Sequence, residues 1–594
     1  MLFEPIIPGV PTSHDGLDQA YHCLIEGNQL IPRWQALPRD TIAHFIIAET
    51  GFGCGLNFLL AWMHFDAVAP STAQLHFISA EKNPLIKHDL DRIVSLWPTL
   101  KMYADKLLAV YPELTPGSHL CLLDEGRVTL TLMFGDVVSS YESLLLCGDA
   151  QLEPKLRPWG VDVWFLNDFE CSDDFRSMMD MLSCKESKLS KGIRRTKRYA
   201  PWFVDYPQRR DKRAIVLGAG LAGVFTAQAL AKKGWQVDVL DMEKKPGLGA
   251  SGNQQAVLFP NLSAYRSPIT TFMLSAFLFA TRFYRELLTQ HPTLGELFGI
   301  LQLAVDEKSA KYHATLGPWL EAYPALGRLV SEVQASDLAG IDIHARGLFV
   351  PQAGWIDSSR LCDVLAKTQG VVVHSSCEVT RLQFDGNAWD VEGHNAPVLI
   401  VAAGHRTAQF EQTSHLPLKT FRGQMTSFES SARGDLLKIP VCGKGHILPR
   451  QAGAHRFGAT YQPGRFDVGA DAMDDEVNYK QLEALPIEKI YTKKVQEHWA
   501  GIRAATPDYF PLVGPVADPV RFSQANHRAR FNPEPGAYQP GLYVCAGFGS
   551  RGLTTIPLAA TYLACLIDQT PHGLARAMAQ SMSPARFLIK TLAG

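Results

Sequence analysis

The sequence predicts an α/β protein whose chain opens the same strand, glycine turn and helix twice. An apolar run, His44–Ala48, leads into Glu49, Gly51, Gly53 and Gly55 and then an apolar helix through Leu59, Leu60 and Trp62. A second run, Ala214–Leu217, leads into Gly218, Gly220 and Gly223 and a helix through Leu230. Length agrees: 594 residues, 46% hydrophobic, suffice for roughly three or four folding units with ample core. The formal charge of −2, from 57 Lys+Arg against 59 Asp+Glu, excludes a globally basic protein, so any polyanion must be met by a local patch. Eleven scattered Cys form no CxxC pair and read as reduced, packed thiols, with no metal site expected. Met1–Pro11 lacks the basic and apolar regions of a signal peptide, and runs such as Leu274–Ala280 fall far short of the ~20 residues that cross a bilayer. The expectation is a cytoplasmic enzyme, away from membranes and with no obligate protein partner evident.

In the first half, a strand at Leu75–Ala80 ends at Glu81, another at Val128–Phe134 ends at Gly135 and Asp136, and a buried-type strand runs from Asp162 to Asn167, Asp168 and Phe169. Carboxylates at the C-terminal ends of parallel strands are where such folds meet a nucleoside. After Phe169 only one helix is predicted, Asp173–Leu182. Lys185 to Arg213 is dense in Lys and Arg and holds Pro201 and Pro207, which marks a linker at 185–213 with a boundary near residue 205. It reads equally as a solvated hinge or as an RNA contact, with Lys188, Lys191, Arg194, Arg195, Lys197 and Arg198 for phosphates and Tyr199, Trp202 and Phe203 for stacking.

In the second half, Gln236–Leu240 ends at Asp241, at the spacing where a carboxylate meets a ribose in a dinucleotide fold. Glycines let backbone N–H groups approach a pyrophosphate at the helix N-terminus. Further glycine-rich segments follow: Gly249-Ala-Ser251-Gly252-Asn253, a strand Val398–Ala403 with Gly404, Gly501-Ile-Arg503, and Gly547-Phe-Gly-Ser550-Arg551-Gly552 opening a helix at Leu553–Ile567. Residues 264–352 and 420–500 are expected to form a β-rich substrate layer, where Phe421, Gln424, His446 and Tyr461 are candidates, individually more for packing than contact.

The order of these segments resembles the D-amino-acid oxidase and glycine oxidase family over residues 214–594. The resemblance implies FAD, held by 214–263, 353–419 and 501–594 through Gly218, Gly220, Gly223, Asp241, Ser251, Gly252, Asn253, Gly404, Gly547, Ser550 and Gly552. It also implies hydride removal from a carbon beside an amine. By motif match, Arg503 and Arg551 are the carboxylate anchors, a task that suits the guanidinium fork. Residues 1–205 resemble the class I S-adenosylmethionine-dependent methyltransferases, a Rossmann-like fold, with Glu49, Gly51, Gly53, Gly55, Glu81 and Asp136 about the methyl donor. With Gly27-Asn28-Gln29, His76–Lys82 and Asp124–Thr129, the whole chain resembles the MnmC family of bifunctional tRNA-modifying enzymes. That implies oxidative removal of the carboxymethyl group from 5-carboxymethylaminomethyl-2-thiouridine at the wobble position of the tRNA anticodon loop, then methylation of the amine left behind. The base must be flipped or splayed for either step.

Two departures bear on methyl transfer. Asn167 and Asp168 stand where the family has Asp-Gly, and an amide accepts a hydrogen bond without the charge that balances a developing ammonium. Between Phe169 and the linker there is no room for the strand pair that ends such a sheet. Two rival readings stay open: a free-amino-acid oxidase with an inert first domain, and a tRNA oxidase whose first 200 residues only dock the RNA. Covalent attachment of FAD is also left open.

Overall fold

The structure, a computed structural model, describes residues 14–144, 160–166, 172–182, 211–526 and 537–593. The first half is a five-stranded sheet. His44–Glu49 pairs in parallel with Gln74–Glu81 on one side and Val163–Phe165 on the other; Gln74–Glu81 pairs in parallel with Val128–Phe134, and Gly117–Leu123 closes that edge antiparallel. Side chains alternate faces along a strand, and the first strand shows it: Phe45 and Ile47 enter the core beneath the helix Leu56–Val68, while Ile46 and Ala48 enter a second core with the helices Val137–Leu144 and Asp173–Leu182. The Gly117–Leu123 strand is absent from the sequence reading, which treated Asp124–Thr129 as a motif. That segment is the hairpin turn, with Asp124, Glu125 and Gly126 all at positive φ (45°, 54° and 94°).

Among the described residues the sheet ends at Val163–Phe165, a strand of three residues. The expected loss of the final strand pair concerns the stretch between Phe169 and the linker; its one predicted helix, Asp173–Leu182, is present, whereas residues 169–171 and 183–210 lie outside the described residues, as do the domain boundary near 205 and the basic linker up to Arg210.

The second half has two large sheets. One runs Val371–His374, Gln236–Leu240, Arg213–Leu217, Val398–Val401, Tyr538–Ala546, Leu512–Ala517, all parallel except the last pair. The other is nine-stranded and mixed, built around the long antiparallel pair Lys419–Ser430 and Tyr491–Ala505. Two details differ from the sequence reading. The 23-residue helix Pro268–Gln290, expected in the substrate layer, packs through Phe272, Ala276, Phe277 and Tyr284 into the core shared with the helices Leu221–Ala231 and Gly552–Asp568, where its apolar stripe is buried. Arg503, expected within the FAD-binding part, sits on Tyr491–Ala505 and so belongs to the mixed sheet.

The two halves meet along a buried seam. Asp568, with 1% of its side chain exposed, accepts from Lys212 Nζ at 2.7 Å and Trp235 Nε1 at 2.8 Å and lies 3.2 Å from His44 of the first sheet. Arg282 donates to the Leu120 carbonyl at 2.9 Å, and Ser118 donates to the Gly573 carbonyl.

Candidate active site

Between the parallel and mixed sheets lies a cavity of about 610 Å³. Gly218 and Gly220 in its wall are there for close approach. Gly218, at φ +102°, ends the strand Arg213–Leu217, and a Cβ on it would stand 2.7 Å from the Ala402 carbonyl oxygen. A Cβ on Gly220 would stand 3.1 Å from Ser251 Oγ, which itself accepts from the Leu221 N–H at 3.0 Å. Asp241 reaches back across the turn, accepting from the Ala219 N–H with one oxygen and from the Glu243 N–H, at 2.7 Å, with the other. Ser358, missed in the sequence because nothing marks a helix start as a site residue, donates to the carbonyls of Ser251 (2.8 Å) and Asn253 (2.7 Å) and fixes that loop.

Gly218, Gly220, Asp241, Ser251, Asn253, Gly404, Arg503, Gly547, Ser550, Arg551 and Gly552 all line this one cavity. Gly223 and Gly252 do not, and the structure gives them another role. A Cβ on Gly223 would overlap the Gly218 carbonyl oxygen, so this glycine lets helix and strand touch; one on Gly252 would stand 2.6 Å from Trp499 Nε1, so it makes room for the indole.

The far wall follows from strand register. Phe421 faces Arg503, Gly423 faces Gly501 and Met425 faces Trp499 across the antiparallel pair, and alternate residues share one face. The two glycines open a trough in that face. The Arg503 guanidinium lies over Gly423, where a Cβ would come within 2.9 Å of it, and the Trp499 ring lies over Gly501. Arg551, on the loop opposite, stacks over the Phe259 ring with 5.3 Å to its centroid. Burial holds both guanidinium groups below the ordinary arginine range, and no described carboxylate forms an ion pair with either. His446, half-buried in the same wall, has its pKa lowered to about 4, first by burial and then by the charges of Arg503 and Arg551. A largely buried cation without a counterion is costly, and an anionic group at this end of the cavity would offset that cost.

Of the other sequence candidates, Gln424 is structural: fully buried, it accepts from Arg422 at 2.8 Å and donates to Asp475 at 2.7 Å. Phe421 and Tyr461 lie ring against ring, with 4.6 Å between centroids and the planes tilted by 37°.

The first half repeats the glycine-turn geometry. Glu81 accepts from the Gly53 N–H at 2.9 Å and the Asn83 N–H at 2.8 Å. Buried Glu49 accepts from Asn57 at 2.6 Å and Ser79 at 3.0 Å, and its own N–H donates to the buried Tyr141 hydroxyl at 3.0 Å; Asn57, Ser79 and Tyr141 were not foreseen. Gly53 and Gly55 have φ of +52° and +74°, and around Gly53 there is open space. Gly51 precedes this turn, at the end of the strand that carries Glu49. Asp136 is exposed and accepts from the Ser139 N–H at 3.1 Å as a helix cap. Asn167 and Asp168 lie outside the described residues.

Residues 213–566 match the FAD dependent oxidoreductase family, and this sets the class of the second half. The fold is shared with glycine oxidase from Geobacillus kaustophilus, at TM-score 0.50 and 21% identity over 60% of this chain and 95% of that one, and with L-proline dehydrogenase from P. horikoshii, at TM-score 0.50 and 16% identity over 64% and 99%. End to end, the chain is 41% identical to the tRNA 5-methylaminomethyl-2-thiouridine biosynthesis bifunctional protein MnmC of Legionella pneumophila (strain Philadelphia 1), covering 98% of this chain and 95% of the relative. It is 35% identical to the protein of the same name from Chromobacterium violaceum, over 97% and 94%. The chain belongs to this MnmC family. No helix among the described residues is long and apolar enough to cross a membrane.

Proposed function

We propose that the protein modifies the wobble uridine of tRNA in two steps, oxidative removal of a carboxymethyl group from 5-carboxymethylaminomethyl-2-thiouridine and methylation of the resulting amine. The observation that carries the first step is the pair of desolvated, counterion-free guanidinium groups in the wall of a dinucleotide-type cavity. The group to be removed is an N-linked acetate, and Arg503 and Arg551 supply the forked donors that a carboxylate accepts. Family membership over the whole chain favours this reading over a free-amino-acid oxidase with an inert first domain.

The residues present fit FAD. Gly220 and the first turn of the helix Leu221–Ala231 offer backbone N–H groups to a pyrophosphate, Asp241 stands where a ribose hydroxyl is met, and the segments at Gly404 and Gly547–Gly552 complete the wall. When bound, FAD supplies the hydride acceptor that amine oxidation requires. The protein's part is to hold the carboxylate on Arg503 and Arg551, so that the methylene between carboxylate and nitrogen is presented in one orientation. His446, neutral above about pH 4, adds no competing charge. Loss of hydride from the methylene and of the proton from the nitrogen leaves an imine, and water adding to its carbon releases glyoxylate and the primary amine.

In the first half, Glu49, Gly51, Gly53, Gly55, Glu81 and Asp136 are proposed to hold S-adenosylmethionine, which supplies the methyl group. The open left-handed turn at Gly53 and the Glu81 carboxylate beside it suit a nucleoside. Asn167 and Asp168 are proposed to face the acceptor amine. The test is mass spectrometry of wobble uridine from cells in which this protein is the sole copy of the enzyme. The methylaminomethyl nucleoside is expected; aminomethyl alone would mean that only the oxidase acts, and unchanged carboxymethylaminomethyl would overturn the reading.

A further inference from the structure

Tyr461 is 65% exposed, an unusual position for a ring that is also stacked. Its partner Phe421 is 7% exposed and lies 4.6 Å away, centroid to centroid, with the planes tilted by 37°. Phe421 in turn faces Arg503 across the strand pair and reaches the Gly547–Arg551 loop, where a Cβ on Gly549 would stand 3.9 Å from its ring. Arg503, Phe421 and Tyr461 therefore form a row that runs from the anion-binding end of the cavity to solvent. Gly458 and Ala459, two and three residues before Tyr461, line the cavity, as does Arg503 beside Phe421, so Tyr461 lies outside the lining but next to it in the chain. On the same strand face as Phe421, two residues earlier, Lys419 is exposed and joined to no carboxylate among the described residues.

Such a row suits one kind of occupant. An aromatic face held rigid from behind, open in front and flanked by an unneutralised cation matches an unpaired nucleobase and its phosphate. A small amino acid held on Arg503 and Arg551 has no base to lay on Tyr461. We propose that Tyr461, backed by Phe421, is a stacking subsite for a nucleobase of the RNA substrate next to the one whose modified group enters the cavity. This rests on the tRNA reading given under Proposed function. The subsite holds the strand at the rim while Arg503 and Arg551 hold the carboxylate inside, so it acts on binding and not on the chemical step.

The test compares the FAD-loaded full-length protein with its Tyr461→Ala and Tyr461→Phe variants, on tRNA carrying the carboxymethylaminomethyl group and on N-methylglycine as a small amine. Stacking is worth about 1–3 kcal/mol per base, so Tyr461→Ala is expected to raise KM for the tRNA roughly 5- to 150-fold. Its kcat, the flavin absorption spectrum and kcat/KM for N-methylglycine stay within about twofold, and Tyr461→Phe restores the tRNA KM because only the ring is needed. The slope of log KM against log salt stays as in the wild type, since no phosphate contact is lost. An unchanged tRNA KM in Tyr461→Ala overturns the subsite while leaving the tRNA reading intact, and so does an equal loss on both substrates, which would make Tyr461 part of the cavity wall. A wild-type protein that oxidises N-methylglycine and not the tRNA overturns the tRNA reading itself, and the subsite with it.

Discussion

The two halves begin alike and end differently. Each has a strand running into glycines and a carboxylate from the next strand hydrogen-bonded to that glycine turn, Glu81 to Gly53 in one and Asp241 to Ala219 in the other. In the oxidase half the chain then returns to the turn three times, at Gly404, at Gly501–Arg503 and at Gly547–Gly552, and these returns enclose a cavity. In the first half the carboxylates satisfy their own backbone and neighbours, and the sheet's last described strand has three residues. A nucleotide-type turn is a local device; a catalytic cavity is made by distant segments coming back to it.

The largest effect expected from this contrast is on Arg503. Two charge-assisted hydrogen bonds to a carboxylate contribute about 3–4 kcal/mol together, so Arg503→Met should lower kcat/KM for oxidation of the modified tRNA by roughly 100- to 1,000-fold. Flavin content and affinity for S-adenosylmethionine should stay at wild-type values, both read on the same purified protein. Loss of flavin as well would show that Arg503 holds the cofactor and not the substrate.

Acid should come next, acting on both halves and on the seam. His119 in the first sheet, His446 in the oxidase cavity and His572 at the seam each have a pKa lowered to about 4, with burial as the largest cause. Below the unfolded value of 6.5 the unfolded chain therefore binds more protons than the folded one. Stability from these groups is present above pH 6.5 and is lost as pH falls towards 4. Each can withdraw up to roughly 3 kcal/mol at the lower end. Denaturant unfolding at pH 7.5, 6 and 5 should show the midpoint falling steadily, and replacing His119 by Gln should flatten the fall. A midpoint that is level between pH 6.5 and 5 would contradict these environments.

Crossed substitutions of the two turn carboxylates separate the halves. Asp241→Asn should weaken FAD binding about tenfold and leave S-adenosylmethionine affinity alone; Glu81→Gln should do the reverse. These figures follow from about 1–2 kcal/mol for one hydrogen bond involving a charged group. Flavin absorbance and calorimetric titration with S-adenosylmethionine read the two sites independently.

What was legible in the sequence follows the same division between local and distant. The strand at Val128–Phe134 and the helix at Asp173–Leu182 have the bounds that periodicity predicts, and the glycine turns announce themselves because Gly53 takes left-handed backbone and Gly218 also leaves no room for a Cβ. Arg503 and Arg551 were found by motif, yet their convergence on one cavity depends on a register between strands about 80 residues apart, in which Gly423 faces Gly501. No local pattern encodes that pairing. Trp499 and Ser358 were missed for the same reason, since each matters through a neighbour far away in sequence. The Gly117–Leu123 strand was missed because its hairpin turn uses Asp124 and Glu125 at positive φ in place of the usual glycine pair.

The smallest effect should fall on the seam. Asp568 carries its charge buried between the halves, and two opposing influences set its worth: burial raises its pKa, whereas His44, Lys233 and Lys212 lower it further than burial raises it, leaving it well below the ordinary carboxylate range. The depressed folded-state value means that this carboxylate stabilises the fold above its unfolded pKa and that the contribution is lost only in strong acid. Asp568→Asn keeps the shape and one acceptor for Trp235 Nε1 and Lys212, and it removes the desolvation cost together with the ion pairs, so most of the change cancels. A net loss of about 1 kcal/mol at pH 7 is expected, seen as a small fall in Tm. Both activities should be retained, because among the described residues Asp568 bonds to Lys212, Trp235 and His44 and to none of the proposed site residues. If the variant instead lost tRNA methylation while keeping oxidation, the docking of the halves would be part of the second reaction, and the first sheet could not be treated as a site complete in itself.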